Sequence, residues 1–297
     1  MKKVVIVGAN SYIARNLIYS LKNSECVLKL YDRAETQADG NDNYFKIDIL
    51  NENSVENIDF DCDVIFFFVG KTGSANGFED YSNFIDINEK ALLNFLTAYK
   101  RKNSTAKIVF PSTRLVYKGK HGLLNEDSEM EFKTVYAINK FACEKYLELF
   151  NVVYGIPYCI VRICVPYGTL IKGASSYGTA EFIVKCAMDK KNITLYGDGS
   201  VRRTLTYIGD LCTIITDIGF SEKCMNDVYN IGGEDYSLRE MADLIAKKYG
   251  VQIESIPYPI VAEKIESGDT VFDDSRLKAK IAVEYKMRFS DWCLSKE

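Results

Sequence analysis

The chain has 297 residues, of which 47% are hydrophobic and 26% are charged, and its formal net charge is -4 at pH 7. This composition is typical of a globular protein with one large domain, or with a domain and a smaller lobe. The slight acidic balance argues against nucleic-acid binding and against attachment to a membrane surface. No apolar segment approaches the length needed to span a bilayer.

The cysteines and the single histidine exclude several classes of site. Nine cysteines are scattered through apolar segments without a C-x-x-C pair, which predicts reduced thiols and a cytoplasmic location. His121 is the only histidine, so a zinc site and a Ser-His-Asp triad are both disfavoured. We therefore expect no metal.

The N-terminal segment has the pattern of a dinucleotide-binding unit. Residues 4–7 are a β-branched run typical of a strand buried on both faces, Gly8 begins a tight loop, and residues 15–22 have helical apolar spacing. Such a helix points its free N–H groups at a pyrophosphate. The next predicted strand ends at Asp32, which suits the ribose hydroxyls of NAD, and Arg33, which suits the 2′-phosphate of NADP. Asp32 as a simple turn residue is an equal alternative.

Predicted strands at 64–69, 107–110 and 161–163 alternate with helices such as the one at 87–99. This alternation predicts an α/β fold with a doubly wound parallel sheet, Rossmann-like. Glycines and small residues become frequent beyond position 167. We expect a dinucleotide-binding domain over residues 1–167, with later segments crossing back to it, and a smaller α/β lobe that binds substrate, mainly residues 168–297.

A tyrosine and a lysine four residues apart, Tyr136 and Lys140, lie on one face of a predicted helix. An ammonium beside a phenol favours the phenolate and so lowers the pKa of the tyrosine. A tyrosine of lowered pKa exchanges protons with a sugar hydroxyl near neutral pH. Thr113, at the exit of an apolar strand, is a candidate for a second hydrogen bond to the same oxygen. The pair alone is weak evidence, because many helices contain it by chance.

Several further motifs stand in a fixed order around this pair. They are Gly8, Ser11 and Ala14, Asp32, Asp48 and Ile49, Thr113, Tyr136 and Lys140, Arg162, Tyr167 and Gly168, Gly197, Asp198 and Gly199 with Arg203, and Tyr207, Ile208, Gly209 and Asp210. With them the sequence resembles the extended short-chain dehydrogenase/reductase family, in its branch of sugar-nucleotide epimerases and dehydratases, which usually has glycines where Ser11 and Ala14 stand.

The resemblance implies roles for individual residues. Tyr136 would be the catalytic acid and base, Lys140 would lower its pKa and hold the nicotinamide ribose, and Thr113 would bind the same sugar oxygen. The residues implied to bind NAD, with NADP as the alternative, are Gly8, Asn10, Ser11, Tyr12, Ile13, Asp32, Arg33, Asp48, Ile49, Val69, Gly70, Lys71, Asn88, Tyr136 and Lys140. The residues implied to bind substrate are Thr113, Tyr136, Val165, Tyr196 and Arg203, of which Arg203 would grip the pyrophosphate.

Three departures from the family pattern affect the implied function. Dehydratases carry an Asp-Glu pair after the catalytic threonine, where this chain has Arg114 and Leu115, so 4,6-dehydration is disfavoured. An arginine that clamps a phosphate in many epimerases is replaced by Glu266. Val165 replaces an asparagine, which removes a polar contact to the substrate.

These features leave three hypotheses. The first is an NAD-dependent epimerase of nucleotide sugars that acts through a transient 4-keto sugar. The second is an NAD(P)H-dependent 4-ketoreductase or dehydrogenase of a nucleotide-linked deoxysugar, and the third is a non-catalytic NAD(P) sensor. The resemblance also implies a homodimer, formed by the helices that begin near Asn88 and near Tyr136.

Overall fold

The computed structural model describes residues 1–176 and 178–295. Their strands are, in chain order, β1 (Lys2–Val7), β2 (Cys26–Asp32), β3 (Tyr44–Lys46), β4 (Val64–Phe67), β5 (Lys107–Thr113), β6 (Leu123–Leu124), β7 (Tyr158–Ile163), β8 (Val165–Tyr167), β9 (Ile193–Tyr196), β10 (Arg202–Tyr207), β11 (Asp227–Asn230), β12 (Glu234–Ser237), β13 (Ile253–Ile256) and β14 (Val271–Phe272).

The helices of the same residues are α1 (Tyr12–Leu21), α2 (Glu52–Val55), α3 (Tyr81–Ile85), α4 (Ala91–Arg101), α5 (Val135–Tyr154), α6 (Thr179–Met188), α7 (Ile208–Phe220), α8 (Leu238–Tyr249), α9 (Ile260–Ile265), α10 (Ser275–Lys278) and α11 (Phe289–Leu294). A π-helical turn, Asp86–Lys90, joins α3 to α4, and a 3-10 turn, Arg114–Val116, follows β5.

The central sheet has seven parallel strands in the order β11-β7-β5-β4-β1-β2-β3. One face packs against α1 and α7, and the other packs against α2, α4 and α5. The predicted doubly wound, Rossmann-like sheet is therefore confirmed. Its strand order reverses between β1 and β4, which is where a ligand crevice opens at the carboxyl ends of the strands in this fold class.

The C-terminal part forms a second, smaller set of layers. Strands β8, β10 and β12 make one sheet, β9 and β13 make another, and α6, α8 and α11 cover them with a separate apolar core. Between these elements the chain returns to the central sheet, since β11 pairs with β7 and α7 packs on the first face. The boundary at residue 167 stays a prediction.

No helix within the described ranges is both long enough and apolar enough to cross a bilayer. All nine cysteines fall inside those ranges, and none forms a disulfide.

A buried ion pair joins α5 to the two strands beneath it. The Arg162 guanidinium on β7 donates to both carboxylate oxygens of Glu144, at 3.0 and 2.6 Å, and each side chain is 3% exposed. The Ser112 hydroxyl on β5 donates to the same carboxylate. Burial by itself lowers the pKa of Arg162, but the bonds and the charge of Glu144 outweigh it and raise that pKa. One carboxylate thus fixes α5 relative to β5 and β7.

We expect Glu144→Gln to lower the free energy of unfolding by about 3 kcal/mol, because it leaves the Arg162 cation buried without a counter-ion. Chemical denaturation followed by circular dichroism measures the change. Glu148→Gln is the control on the same helix, since that carboxylate pairs with Lys145 at the surface and should contribute at most ~1 kcal/mol. Equal stability of the two variants would contradict a structural role for the buried pair.

Candidate active site

The loop after β1 passes directly against the end of β4. Gly8 has a φ of +86°, and a Cβ built on it would lie 2.7 Å from the carbonyl carbon of Phe68. Only glycine fits this close approach. The Gly8 N–H donates to the carbonyl of Tyr31 at 2.8 Å, which ties the loop to β2 as well. The loop therefore lies at the sheet's point of reversal.

Ser11 stands at the N-cap of α1 and has a hydroxyl without a partner. Its side chain makes no capping hydrogen bond, and within the described ranges its buried Oγ has no partner at all. A buried hydroxyl without a hydrogen bond is costly. Together with the free N–H groups of the helix, this hydroxyl suits a phosphate oxygen.

Asp32 closes the glycine loop and follows it at the end of β2. One carboxylate oxygen accepts the Asn10 N–H at 2.9 Å, and the other accepts the Arg33 N–H at 2.7 Å. The Asn10 side chain bonds to the backbone of Thr36 and Ala38. Asp32 is thus a turn residue that is still partly exposed at the crevice, so both interpretations from the sequence remain compatible. Arg33 is exposed.

Four other residues implied in cofactor binding lie around this loop. The Tyr12 hydroxyl donates to the carbonyl of Gly168 at 2.6 Å, so this side chain connects α1 to the end of β8. Ile13 packs against the core beneath α1, and Ile49 packs against the opposite core. Asp48 is exposed, and its carboxylate accepts the N–H of Leu50 at 3.0 Å.

Asn88 supports the segment after β4. It lies in the π-helical turn, is 2% exposed, and exchanges two hydrogen bonds with the backbone of Lys71, at 2.9 and 3.1 Å. Val69 is partly buried and Gly70 is exposed. A Cβ on Gly70 would lie 3.2 Å from the Asn88 side-chain oxygen and 3.5 Å from the Lys140 Nζ. The glycine therefore brings this segment against the lysine of α5.

Lys140 is 4% exposed and is held in place by β5. Its Nζ donates to the carbonyl of Pro111 at 2.8 Å and lies 4.3 Å from the centre of the Phe110 ring. Burial lowers the pKa of Lys140 to about 8. Lys140 thus reaches the carboxyl ends of β4 and β5, where Gly70 and Thr113 also lie.

Tyr136 lies one helical turn before Lys140, and its pKa differs from the expectation. Burial raises the pKa of this phenol, the nearby Cys143 raises it further, and a hydrogen bond with Thr113 acts in the opposite direction. The prediction that Lys140 lowers this pKa is wrong for the chain alone. Burial disfavours the phenolate, and the lysine bonds to a backbone carbonyl instead.

Thr113 is 7% exposed and ends β5. Its hydroxyl accepts the N–H of Leu115 at 3.3 Å and so caps the following 3-10 turn. The same side chain hydrogen-bonds to Tyr136. The structure therefore brings together the threonine, tyrosine and lysine that the sequence singles out.

The candidate substrate residues lie in different surroundings. Val165 is 4% exposed and packs in the core of the smaller lobe, so its side chain is a core residue and not a contact surface, in contrast to the expectation. Tyr196 is 43% exposed, with its ring 5.6 Å from that of Tyr258. Arg203 is 2% exposed and pairs with Glu266 at 2.6 Å. Its guanidinium thus already has a counter-ion.

Sequence reasoning missed two partners at this wall of the crevice. The sequence indicates Glu266 only as the replacement of an arginine, whereas in the structure it neutralises Arg203. Ser267 accepts a hydrogen bond from Arg114 at 3.0 Å. No local pattern indicates either contact, because the partners are far apart in the sequence. Glu144, by contrast, follows Lys140 by one turn, so its place on the same helix face could have been predicted.

Comparison with known proteins agrees with this geometry. Residues 4–232 match the model of the NAD dependent epimerase/dehydratase family. A putative UDP-glucose 4-epimerase of Methanocaldococcus jannaschii is 25% identical over 85% of this chain and 84% of its own.

Solved structures show the same fold. Pal from Bacillus thuringiensis superimposes with a TM-score of 0.88 at 20% identity, covering 98% of this chain and 96% of its own. UDP-glucuronic acid 4-epimerase from Bacillus cereus, in complex with UDP-glucuronic acid and NAD, gives 0.85 at 22% identity, with the same coverage of 98% and 96%. From the extent of the family match, together with the motifs in place around the crevice, this chain belongs to the NAD dependent epimerase/dehydratase family.

Proposed function

We propose that this chain is an NAD-dependent epimerase of nucleotide-linked sugars, which inverts a carbon through a transient 4-keto sugar. The observation that carries the proposal is the meeting of Thr113, Tyr136 and Lys140 at the carboxyl ends of β4 and β5. Family membership and the relatives named above support the same activity. Arg114 stands where a dehydratase needs a carboxylate, so water elimination lacks its acid and base.

The residues around the glycine loop fit a dinucleotide. Within the described residues the buried Ser11 hydroxyl has no partner at a helix N-terminus, and Gly8 and Gly70 let the chain approach Phe68 and Asn88 more closely than a side chain would allow. Asp32 stands where an adenosine ribose is recognised in this fold class. When bound, NAD supplies the hydride acceptor and the hydride donor for the sugar carbon.

The chain's own residues handle the proton. With its pKa raised, Tyr136 is protonated in the chain alone and is therefore ready to act as the acid that gives a proton to a ketone. Oxidation of the sugar hydroxyl needs Tyr136 as a base, in its phenolate form. The Lys140 ammonium is the positive charge that the chain supplies to stabilise that phenolate. Thr113 orients the sugar oxygen by a second hydrogen bond. If the keto sugar stays in the crevice and turns over, the hydride can return to the opposite face of the same carbon.

We also propose a homodimer. Helix α5 has a row of exposed apolar side chains, Ile138, Leu149, Val152 and Val153, which are 51, 55, 77 and 56% exposed. Their spacing places them on one face of the helix. Tyr81 and Ile85 of α3, four residues apart, are also exposed. An apolar face of this kind supports packing against a second copy.

For the reaction, we expect Tyr136→Phe to reduce the conversion of nucleotide sugars by at least ~100-fold, because it removes the proton donor while keeping the ring. Incubation with a panel of nucleotide sugars, followed by mass spectrometry and sugar NMR, measures the conversion. Tyr154→Phe, at the exposed end of the same helix, is the control. If Tyr136→Phe retained full conversion, the enzymatic proposal would be wrong.

For the cofactor, protein purified without added nucleotide should carry NAD, and stripped protein should bind NAD more tightly than NADP. Asp32→Asn keeps an acceptor for the Asn10 N–H but removes the charge that repels a 2′-phosphate. We expect Asp32→Asn to reduce the ratio of NAD affinity to NADP affinity about tenfold, as measured by calorimetry. Glu35→Gln, an exposed neighbour, should leave the preference unchanged. Equal binding of both nucleotides by the unaltered chain would refute the assignment of Asp32.

For the assembly, we expect Leu149→Glu to convert the protein from the mass of two chains to that of one, as measured by light scattering. In the dimer the new carboxylate would lose its hydration without gaining a counter-ion, and this cost favours the separated chains. Phe182→Glu on α6 changes an equally exposed apolar residue outside this face and should leave the mass unchanged. A monomeric unaltered chain would exclude the proposed dimer.

A further inference from the structure

The guanidinium groups of Arg114 and Arg203 lie near each other, and the Glu266 carboxylate pairs with Arg203. Arg203 is satisfied: besides its bond to Glu266 at 2.6 Å, it donates to the carbonyls of Gly268 and Arg202 at 2.6 and 2.9 Å. The charges of Arg203 and Glu266 therefore cancel. Arg114 lies close enough to Arg203 for its pKa to respond to that like charge.

Arg114 is the cation that remains without a counter-ion. Within residues 1–176 and 178–295 its one hydrogen-bond partner is the Ser267 hydroxyl, which is neutral and accepts from Nη1 at 3.0 Å. Burial, and then the charge of Arg203, lower the pKa of Arg114, whereas Cys164 and Glu266 act in the opposite direction. A guanidinium in such a place is costly unless an anion neutralises it.

The edge of Arg114 that carries Nε and Nη2 is the open one. Its single bond uses Nη1, and neither of the other two nitrogens is among the buried polar atoms that lack a partner. Two parallel N–H groups on one edge match the two oxygens of a carboxylate. The open edge is therefore suited to a bidentate contact with an acidic group.

The position of Arg114 next to Thr113 indicates that it would contact the sugar of a substrate. It follows Thr113 directly, so the two Cα atoms are about 3.8 Å apart. In the proposed function, Thr113 and Tyr136 hold the reacting oxygen of the sugar. Arg114 therefore starts beside the proposed place of the sugar ring, and its guanidinium bonds to Ser267, the residue that follows Glu266.

We propose that Arg114 pairs with a carboxylate on the sugar ring, so that the preferred substrate is a nucleotide-linked uronic acid and not a neutral hexose. The inference rests on the proposed function for the placement of the sugar. A hydroxymethyl group at the same position would leave the guanidinium without its counter-ion, and an acidic sugar would supply it. Arg114 is then a residue that determines specificity, separate from the groups that move the proton.

The test is a set of calorimetric titrations with matched ligands. The probes are UDP-glucuronate with UDP-glucose, dTDP-glucuronate with dTDP-glucose, and UDP and dTDP alone. The unaltered chain should prefer the acidic member of at least one pair by about 10- to 100-fold. Arg114→Met should lose that preference and keep its affinity for the bare diphosphates. Arg114→Lys retains the charge without the bidentate edge and should give an intermediate preference.

Arg101→Met, an exposed arginine on α4, is the matched control and should leave every affinity unchanged. If the unaltered chain shows no preference for an acidic sugar in either pair, the inference is overturned. It is also overturned if Arg114→Met weakens the bare diphosphates by the same factor, since the cation would then serve the pyrophosphate. Binding does not require turnover, so a preference for acidic sugars can persist even where the Tyr136→Phe experiment refutes epimerisation.

Discussion

The contact between the Glu144 carboxylate and the Arg162 guanidinium is the constraint on which the geometry of the crevice depends. Tyr136, Lys140 and Glu144 follow one another at intervals of four residues and so share one face of α5. Glu144 binds Arg162 on β7 and Ser112 on β5, and Ser112 directly precedes Thr113. The same carboxylate thus sets both the rotation of the helix and its distance from the strand.

The surroundings of that pair explain how a charged group can be tolerated so deeply. The third Arg162 nitrogen, Nη1, donates to the Tyr117 hydroxyl at 2.7 Å, and that hydroxyl donates to the Asn230 side chain at 2.7 Å. Asn230 ends β11, so the network extends to the edge of the central sheet. A fully bonded polar network rigidifies its elements. The family motif that contains Arg162 is therefore best explained as scaffolding, one layer below the reacting groups.

Much of the fold follows from local patterns. The run at residues 4–7, the glycine after it and the acidic end of the second strand each have a physical cause that acts over a few residues. Asn88 and Lys71, which the resemblance implies to bind the cofactor, hydrogen-bond to each other. Local sequence patterns do not predict the pKa of Tyr136, because that pKa depends mainly on how far the folded chain removes the phenol from water. The sequence contains the neighbouring ammonium but does not indicate its preference for the Pro111 carbonyl.

The surroundings of Arg203 are the least predictable part, since the charges there come from distant segments. Arg114, Arg203 and Glu266 belong to the turn after β5, to β10 and to the segment after α9, and the pairing of Arg203 with Glu266 is decided only when the lobe packs on the sheet. Val165 illustrates the same limit: its place in a motif suggests a substrate contact, whereas the packing of β8 buries it in the lobe core.

The bond from Lys140 to the carbonyl of Pro111 has a consequence for how the crevice tolerates mutation. Every amino acid carries a main-chain carbonyl, so this anchor of the ammonium does not depend on which side chain occupies position 111. A substitution at position 111 can therefore leave the hydrogen-bond acceptor of the lysine in place. The position of the ammonium is thus set by the backbone of β5 and not by a side chain.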